Sequence, residues 1–261
     1  MARQQSEDRA IVPIKIKQGR ATFYILGLTP LIYNAASEKT KHELLWPHKK
    51  TMAERSVSLK HNPPQEYRDS VYRRPDGENG PTRLLAPSRW FKAAIAQVAK
   101  RVPGGGTTAE LKQLVWVEGE YCDLYGTPEV YMAMVISAGM NRTPDIRTRA
   151  LVPRWCCKLV INHVLPQVQS EAVATLLMNA GILNGVGDFR QQKGAGSYGQ
   201  FELVNESDPR YKALVKNEGL KVQDRYLKEL VPHDEDTSRM LATFNEKMRK
   251  RDKDSGEHTT A

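Results

Sequence analysis

The sequence predicts an α+β fold, an antiparallel sheet with helices on one face. Segments rich in β-branched and aromatic residues (21–28, ATFYILGL; 130–137, VYMAMVIS; 155–164, WCCKLVINHV) are separated from segments of helical apolar spacing at 88–101 and 170–180. Their order is strand, insert, helix, strands, helix, strand, which suits a split βαβ, ferredoxin-like plan. With 261 residues and 40% apolar content, the chain has material for one large or two small domains with a sizeable core.

Residues 11–16 alternate apolar and polar around Pro13. Residues 21–28 form the first central strand and run into the turn Thr29-Pro30-Leu31-Ile32-Tyr33-Asn34. Residues 35–80 show no long apolar period and hold charged runs, Pro63-Pro64, Pro75 and Asp76-Gly77. A structureless insert of this length in a compact domain is functional or mobile. Ser88 is the expected N-cap of a helix with Trp90, Ala94, Ile95, Val98 and Val102 at helical spacing, stopped by Pro103-Gly104-Gly105-Gly106.

Residues 114–117 read as a strand, and 139–153 as an arginine- and proline-bearing connection. In the helix at 170–180, Ser170 is the expected N-cap and Gly181 the stop. A glycine-rich loop at 185–198 then leads to a short final strand at 200–204. The expected division is a core at 1–204 with its insert at about 35–80, a helical extension at 205–246, and a disordered tail at 247–261 with no core residue after Met248.

The net charge of +9 is not spread evenly. Residues 1–80 hold 14 basic and 9 acidic residues, 81–204 hold 13 and 9, and 205–261 hold 12 of each. A basic body favours polyanionic partners through counterion release. No run of about 18 apolar residues exists, so no membrane span is expected. Residues 1–9 are polar and three cysteines fit a reducing compartment, so the expected location is the cytoplasm.

Four clusters are candidates for binding. Gly185, Gly187, Gly194, Gly196 and Gly199 fall within fifteen residues, interleaved with Arg190, Lys193 and Tyr198. Exposed N–H groups, two cations and an aromatic suit phosphate cradling and base stacking. The spacing is neither a dinucleotide fingerprint nor a Walker A loop. The second cluster is Arg142, Arg147, Arg149 and Arg154, opposed only by Asp145, with Trp155 following. The third is Lys49-Lys50 in an insert that also carries Trp46, Tyr67, Tyr72, Arg73 and Arg74. The fourth is Arg89 and Lys92 at a helix start, beside Trp90, which reads as core.

Metal and nucleophile chemistries find little purchase. Cys156 and Cys157 are adjacent in a strand and point to opposite faces, and Cys122 is remote. The six histidines show no i, i+4 pair. His163 reads as a core or edge residue, and His42, His48 and His61 are left for general acid–base work. No metal or cofactor is expected.

Taken in order, the turn 29–34, Asp69-Ser70-Val71-Tyr72-Arg73 with Asp76-Gly77, Leu85-Ala86-Pro87-Ser88-Arg89-Trp90-Phe91-Lys92-Ala93-Ala94, Arg147-Thr148-Arg149 leading to Trp155, Ala180-Gly181 leading to Gly185-Val186-Gly187-Asp188-Phe189-Arg190, and Gly199-Gln200-Phe201 resemble a group of phage and prophage proteins. That group is similar to the RAMP superfamily, which includes the backbone subunits of CRISPR effector complexes. The resemblance covers about residues 20–204. It implies a modified ferredoxin-like, RRM-related core, an inserted thumb or finger, and single-stranded RNA binding in repeating protomers. The glycine loop and the insert take the positions of that superfamily's loop and thumb. The final loop is longer than a minimal one, and no aspartate or histidine is assignable to cleavage.

The resulting expectation is a phage-associated protein of the host cytoplasm that binds single-stranded nucleic acid, RNA before DNA. Arg142, Arg147, Arg149, Arg190 and Lys193 would hold phosphates, with Tyr198, Trp155 or Trp46 stacking bases. Head-to-tail assembly into a ring or helical filament is the expected oligomer. The alternatives are a metal-independent endoribonuclease of the same fold and a factor that mimics or joins a CRISPR-type complex. The reading leaves catalysis open and favours binding alone.

Overall fold

A computed structural model describes residues 15–46, 59–136, 143–192 and 196–257, with side chains through Arg251. In chain order the elements are β1 (Lys17–Gly27), β2 (Leu31–Ile32), α1 (Glu38–Leu45), α2 (Pro63–Asp69), β3 (Leu85–Pro87) and α3 (Ser88–Val98). Next come α4 (Thr108–Leu114), β4 (Val115–Val117), β5 (Tyr121–Tyr125), β6 (Glu129–Ile136), β7 (Pro144–Val152) and β8 (Cys156–Leu165). The chain then runs through α5 (Ser170–Leu183), β9 (Phe201–Val204), α6 (Pro209–Asn217), α7 (Leu220–Glu229) and α8 (Glu235–Glu257).

The fold is α+β with antiparallel strand pairing. The larger sheet has the order β3–β5–β8–β1–β9, and β4 also pairs with β8. β1 and β8 pair along their lengths, from Lys17 opposite Leu165 to Leu26 opposite Cys156. Strand alternation puts Ile25, Cys157, Leu159 and Ile161 on one face, where they meet Phe91, Ala94 and Ile95 of α3 and Val173, Leu177 and Ala180 of α5. Phe201 joins this core, edge-on to Phe91 at 5.8 Å and to Trp155 at 6.3 Å between centroids. Such pairs add about 0.5–1.5 kcal/mol each beyond area burial.

The opposite face is covered in part. Leu26 and Cys156 pack there with Tyr211 and Leu214 of α6. The two adjacent cysteines therefore do lie on opposite faces, each buried in its own cluster.

The C-terminal helices are bonded into this body. Gln223 of α7 is fully buried; its carbonyl oxygen accepts from the backbone N–H groups of Arg83 (2.7 Å) and Leu84 (2.9 Å). Its amide donates to the carbonyls of Leu124 and Gly126, both at 2.9 Å. Hydrogen bonds to both ends of the amide offset the cost of taking it out of water. α8 packs on β6, where Thr237 Oγ1 accepts from the Met132 backbone N–H at 3.2 Å.

Several sequence expectations are corrected. The stretch 139–153 is not a connection throughout: from Pro144 it is β7, the centre of a second sheet in the order β2–β7–β6. The insert is not structureless where described. It holds α1 and α2, and Tyr67 and Val71 are core residues, the Tyr67 hydroxyl donating to the Pro128 carbonyl at 3.0 Å.

Ser88 is the first residue of α3 rather than its cap. β3 pairing carries the chain straight into the helix, the Ser88 N–H donates to the Glu120 carbonyl at 2.9 Å, and its hydroxyl is buried against Cys122. Ser170 likewise lies inside α5, where its hydroxyl meets His163 Nε2 at 3.3 Å; Gln169 is the cap. Gly181 does not stop α5, which runs to Leu183. A Cβ there would overlap the Phe201 carbonyl oxygen, so glycine is required by close approach. α8 continues to Glu257, through most of the stretch expected to be a disordered tail.

Candidate nucleic-acid interface

The β6–β7 hairpin sets the site. Its register places Tyr131 opposite Arg149, Ala133 opposite Arg147 and Val135 opposite Asp145, all on one face. The intervening pairs face the other way: Val130 and Met132 point into the core, while Met134 and Ile136 are exposed at 75% and 65%. Arg147 and Arg149 thus share the face that carries Tyr131, with Asp145 beyond them.

The glycine loop is stitched against this hairpin through β2. The Val186 N–H donates to the Gly199 carbonyl (2.9 Å), Gly199 to Pro30 (2.8 Å) and Asp188 to Ile32 (2.9 Å). β2 in turn pairs with β7. Gly187 has φ +81°, and a Cβ there would lie 2.5 Å from Leu31 Cδ1 and 2.7 Å from the Ile32 oxygen. These glycines bring the loop close to its own protein, and the N–H groups of residues 186, 188 and 199 are used internally. The expected cradle of free backbone N–H groups is corrected to that extent.

What the loop presents is side chains. Asp188 forms an ion pair with Arg149, both mostly buried. Burial, and then the positive charge of Arg147, lower the Arg149 pKa from its ordinary value. Arg147 is exposed and has no carboxylate partner among the described residues. Arg190 is half-buried; Nη1 donates to the Gly187 carbonyl at 2.9 Å and Nε is buried with no partner. Burial lowers its pKa as well.

Tyr198 is half-buried and lies between two rings, Tyr131 at 6.4 Å and Phe189 at 6.0 Å. Burial first, and a hydrogen bond with Tyr198 second, push the Tyr131 pKa up to about 12. The Tyr131 ring also meets His233 edge-on at 6.1 Å, and His233 Nδ1 bonds Glu129 at 2.7 Å. Phe189 is 48% exposed and held at φ +48°. A bulky residue in left-handed backbone costs of order 1–3 kcal/mol, so the surrounding structure holds this ring out against a penalty.

The structure brings Arg147, Arg149, Arg190, Tyr198, Gly185, Gly187, Gly196 and Gly199 into this region. Lys49, Lys50, Arg142, Lys193 and Gly194 lie outside the described residues. Arg154 is committed to Glu218 at 2.8 Å. Trp155 is fully buried, its indole N–H donating to the Thr29 carbonyl at 2.9 Å, and so cannot stack a base. Trp46 is exposed at the end of α1. Arg89 belongs to a separate groove beside Tyr72, with Lys92 half-buried one turn further along α3.

His61 has both ring nitrogens engaged, Nδ1 with Glu66 at 3.1 Å and Nε2 with Asp145 at 2.9 Å. Lys60 reaches the same Asp145 oxygen at 2.8 Å. This bond, ahead of His61, holds the Asp145 carboxyl below its ordinary range. No group of three or more His, Cys, Asp or Glu among the described residues could hold a metal ion. No described helix is long and apolar enough to cross a membrane.

Sequence reasoning missed Tyr131, Phe189 and His233 as members of the site. Phe189 stood inside the quoted glycine loop, and an aromatic between glycines and an arginine was the available signal. A scan against protein-family models finds no match, and a search of curated proteins finds none either.

Proposed function

We propose that this protein binds single-stranded nucleic acid across the face formed by Arg147, Arg149, Arg190, Tyr198 and Phe189. One observation carries the reading: the Arg149–Asp188 ion pair joins the two segments that the sequence marks as basic, with Arg147 and Arg190 two residues from either partner and the partly exposed Phe189 and Tyr198 rings in the joined loop. Guanidinium groups hold phosphates, and aromatic faces stack bases without regard to sequence. The confinement of the net charge of +9 to residues 1–204 gives such a strand a favourable field.

The topology supports the ferredoxin-like reading. The strands β9–β1–β8 and then β4 and β5 lie in the order of that plan, with α3 following β1 and α5 joining β8 to β9. Through the resemblance drawn above, this favours RNA ahead of DNA and a RAMP-like protein of phage type whose protomers repeat along a strand.

Fluorescence anisotropy with labelled single strands and duplex at several salt concentrations tests the reading. With the three guanidiniums of this face on phosphates, log K against log salt should fall with a slope near −2 for a single strand. A slope near zero, or tighter binding to duplex, would overturn it.

A further inference from the structure

Two grooves meet at the segment that leaves β2. The first, of about 1100 Å³, runs between β7 and the α1–α2 segment, and has Arg147 and Arg149 in its wall. The second, of about 920 Å³, is lined by Tyr72, Tyr121, Arg73 and Arg89. Both are lined by Ala35, Ala36 and Asp69. Two alanines thus form a saddle between them beside the Asp69 carboxylate, fixed by the Ala35 N–H donating to the Ser70 carbonyl at 2.8 Å.

The second groove has a built aromatic wall. Tyr72 is backed by Trp90, edge-on at 5.6 Å, and by buried Tyr33 at 6.4 Å. On its open side stands Tyr121, 38% exposed, with centroids 6.1 Å apart and planes inclined at 41°. Arg89 lies 5.4 Å over the Tyr72 ring and donates to its hydroxyl at 3.0 Å.

Two of the carboxylates here are balanced by cations. Asp123 accepts from Arg74 at 2.5 Å and Thr82 at 3.0 Å, Glu38 pairs with Lys41 at 2.5 Å, and Asp69 accepts from Gln65 at 2.7 Å. Asp69, Glu78 and Glu120 have no cationic partner among the described residues and keep their negative charge in this groove. Arg73 and Arg89 have no carboxylate partner among the described residues. The partly exposed Tyr121 ring, with two guanidiniums that have no carboxylate partner, complements a planar base and its phosphate.

Resting on the function proposed above, we infer that the bound strand crosses the Ala35–Ala36 saddle and stacks one nucleobase on Tyr121, which Tyr72 backs, with Arg89 and Arg73 on its phosphates. The two grooves are then one path, and a strand must be long enough to reach its far end.

The test compares labelled oligouridylates of about 6 and about 20 nucleotides, lengths that bracket the reach of one small domain. The parent should hold the longer strand more tightly. Tyr121→Ala, Arg89→Gln and the saddle-filling Ala36→Trp should each weaken the longer strand, Tyr121→Ala by roughly 5- to 150-fold, with the shorter strand unaffected. All three positions are partly or fully exposed, so the melting temperature serves as the folding control. A strand carrying 4-thiouridine should crosslink to the peptides holding Tyr72 or Tyr121.

If these variants bind the long strand as the parent does, while Arg147→Ala with Arg190→Ala still weakens both lengths, the second groove is overturned and the first site stands. If the parent binds neither strand, both readings fall together.

Discussion

Arg149 of β7 and Asp188 of the glycine loop are ion-paired with 20% and 24% of their side chains exposed. A pair this far from water cannot lose one partner without leaving the other's charge uncompensated. Asp188→Asn should therefore lower stability by about 1–3 kcal/mol, the range for hydrogen bonds to charged groups. It should also free the loop from the hairpin and weaken strand binding several-fold. Denaturant unfolding and anisotropy on the same preparation check both. Loss of stability with unchanged binding would separate the clamp from the site.

Gly181 gives a prediction whose sign is opposed by helix propensity. Glycine to alanine inside a helix ordinarily gains up to about 1 kcal/mol. Here the added methyl would overlap the Phe201 carbonyl and sit 2.8 Å from its ring. Overpacking costs about 1–3 kcal/mol, so Gly181→Ala should be net destabilising by about 1–2 kcal/mol. A rise in the unfolding midpoint would contradict the close approach of α5 to β9.

The legible parts of the fold were those whose faces are apolar. β1, β8, α3 and α5 each bury a periodic face, and that periodicity stands in the sequence. β7 was hidden because its outer half alternates Asp145, Arg147 and Arg149 with Ile146 and Thr148, so that the strand extending toward solvent reads as a polar connection. α4 and β5 are short elements with little pattern to detect. Gln223 is invisible to any hydrophobicity rule, since its burial depends on backbone groups of two other segments, Arg83–Leu84 and Leu124–Gly126. For the site, the sequence marked the cations and the glycines. It did not show that the glycines serve the loop's own packing, because a positive φ or a close approach looks the same whether the neighbour is a ligand or β2.

The cysteines should be silent in the native state. Burial pushes the Cys156 thiol up to about 12, and raises Cys157 and Cys122 as well. At pH 8 the thiolate fraction of Cys156 is then about one part in ten thousand. A disulfide reagent should modify none of the three in the folded protein and all three in denaturant. The folded state keeps protons that an unfolded chain releases above about pH 8.5, so these thiols make stability fall as pH rises beyond that point. Rapid native labelling would show that one of these clusters opens readily.

At the N-terminus of α4, Thr107 and Glu110 form a reciprocal capping box: the Glu110 N–H donates to Thr107 Oγ1 at 3.2 Å and Thr107 N–H to the Glu110 carboxylate at 2.9 Å. The backbone bond from Thr107, ahead of its hydroxyl, lowers the Glu110 pKa. A depressed carboxyl contributes stability that is complete above its unfolded value of about 4.3 and is lost as pH falls through the folded value. Thr107→Ala should cost about 1 kcal/mol at pH 7. Glu110→Gln should remove this residue's share of the acid-side loss, read as a flatter dependence of the unfolding midpoint between about pH 5 and pH 3.

Trp155 and Phe189 divide the aromatic residues between core and surface, and their variants should behave in opposite ways. Trp155 is fully buried against Phe201 and Gly27, and Trp155→Ala should cost about 3–5 kcal/mol, so any loss of binding by that variant reports unfolding. Phe189 is half-exposed at φ +48°, a conformation that glycine adopts without penalty. Phe189→Gly removes the strain together with the ring contact to Tyr198, and the two effects should cancel to within about 1 kcal/mol of stability. If the ring stacks a base, the same variant should lose about 1–3 kcal/mol of binding free energy. Melting and anisotropy on one preparation separate the cases. Stability held with binding lost marks Phe189 as part of the stacking platform. A large fall in the melting temperature would make the ring a packing residue whose left-handed backbone serves the loop alone, and unchanged affinity would remove it from the interface.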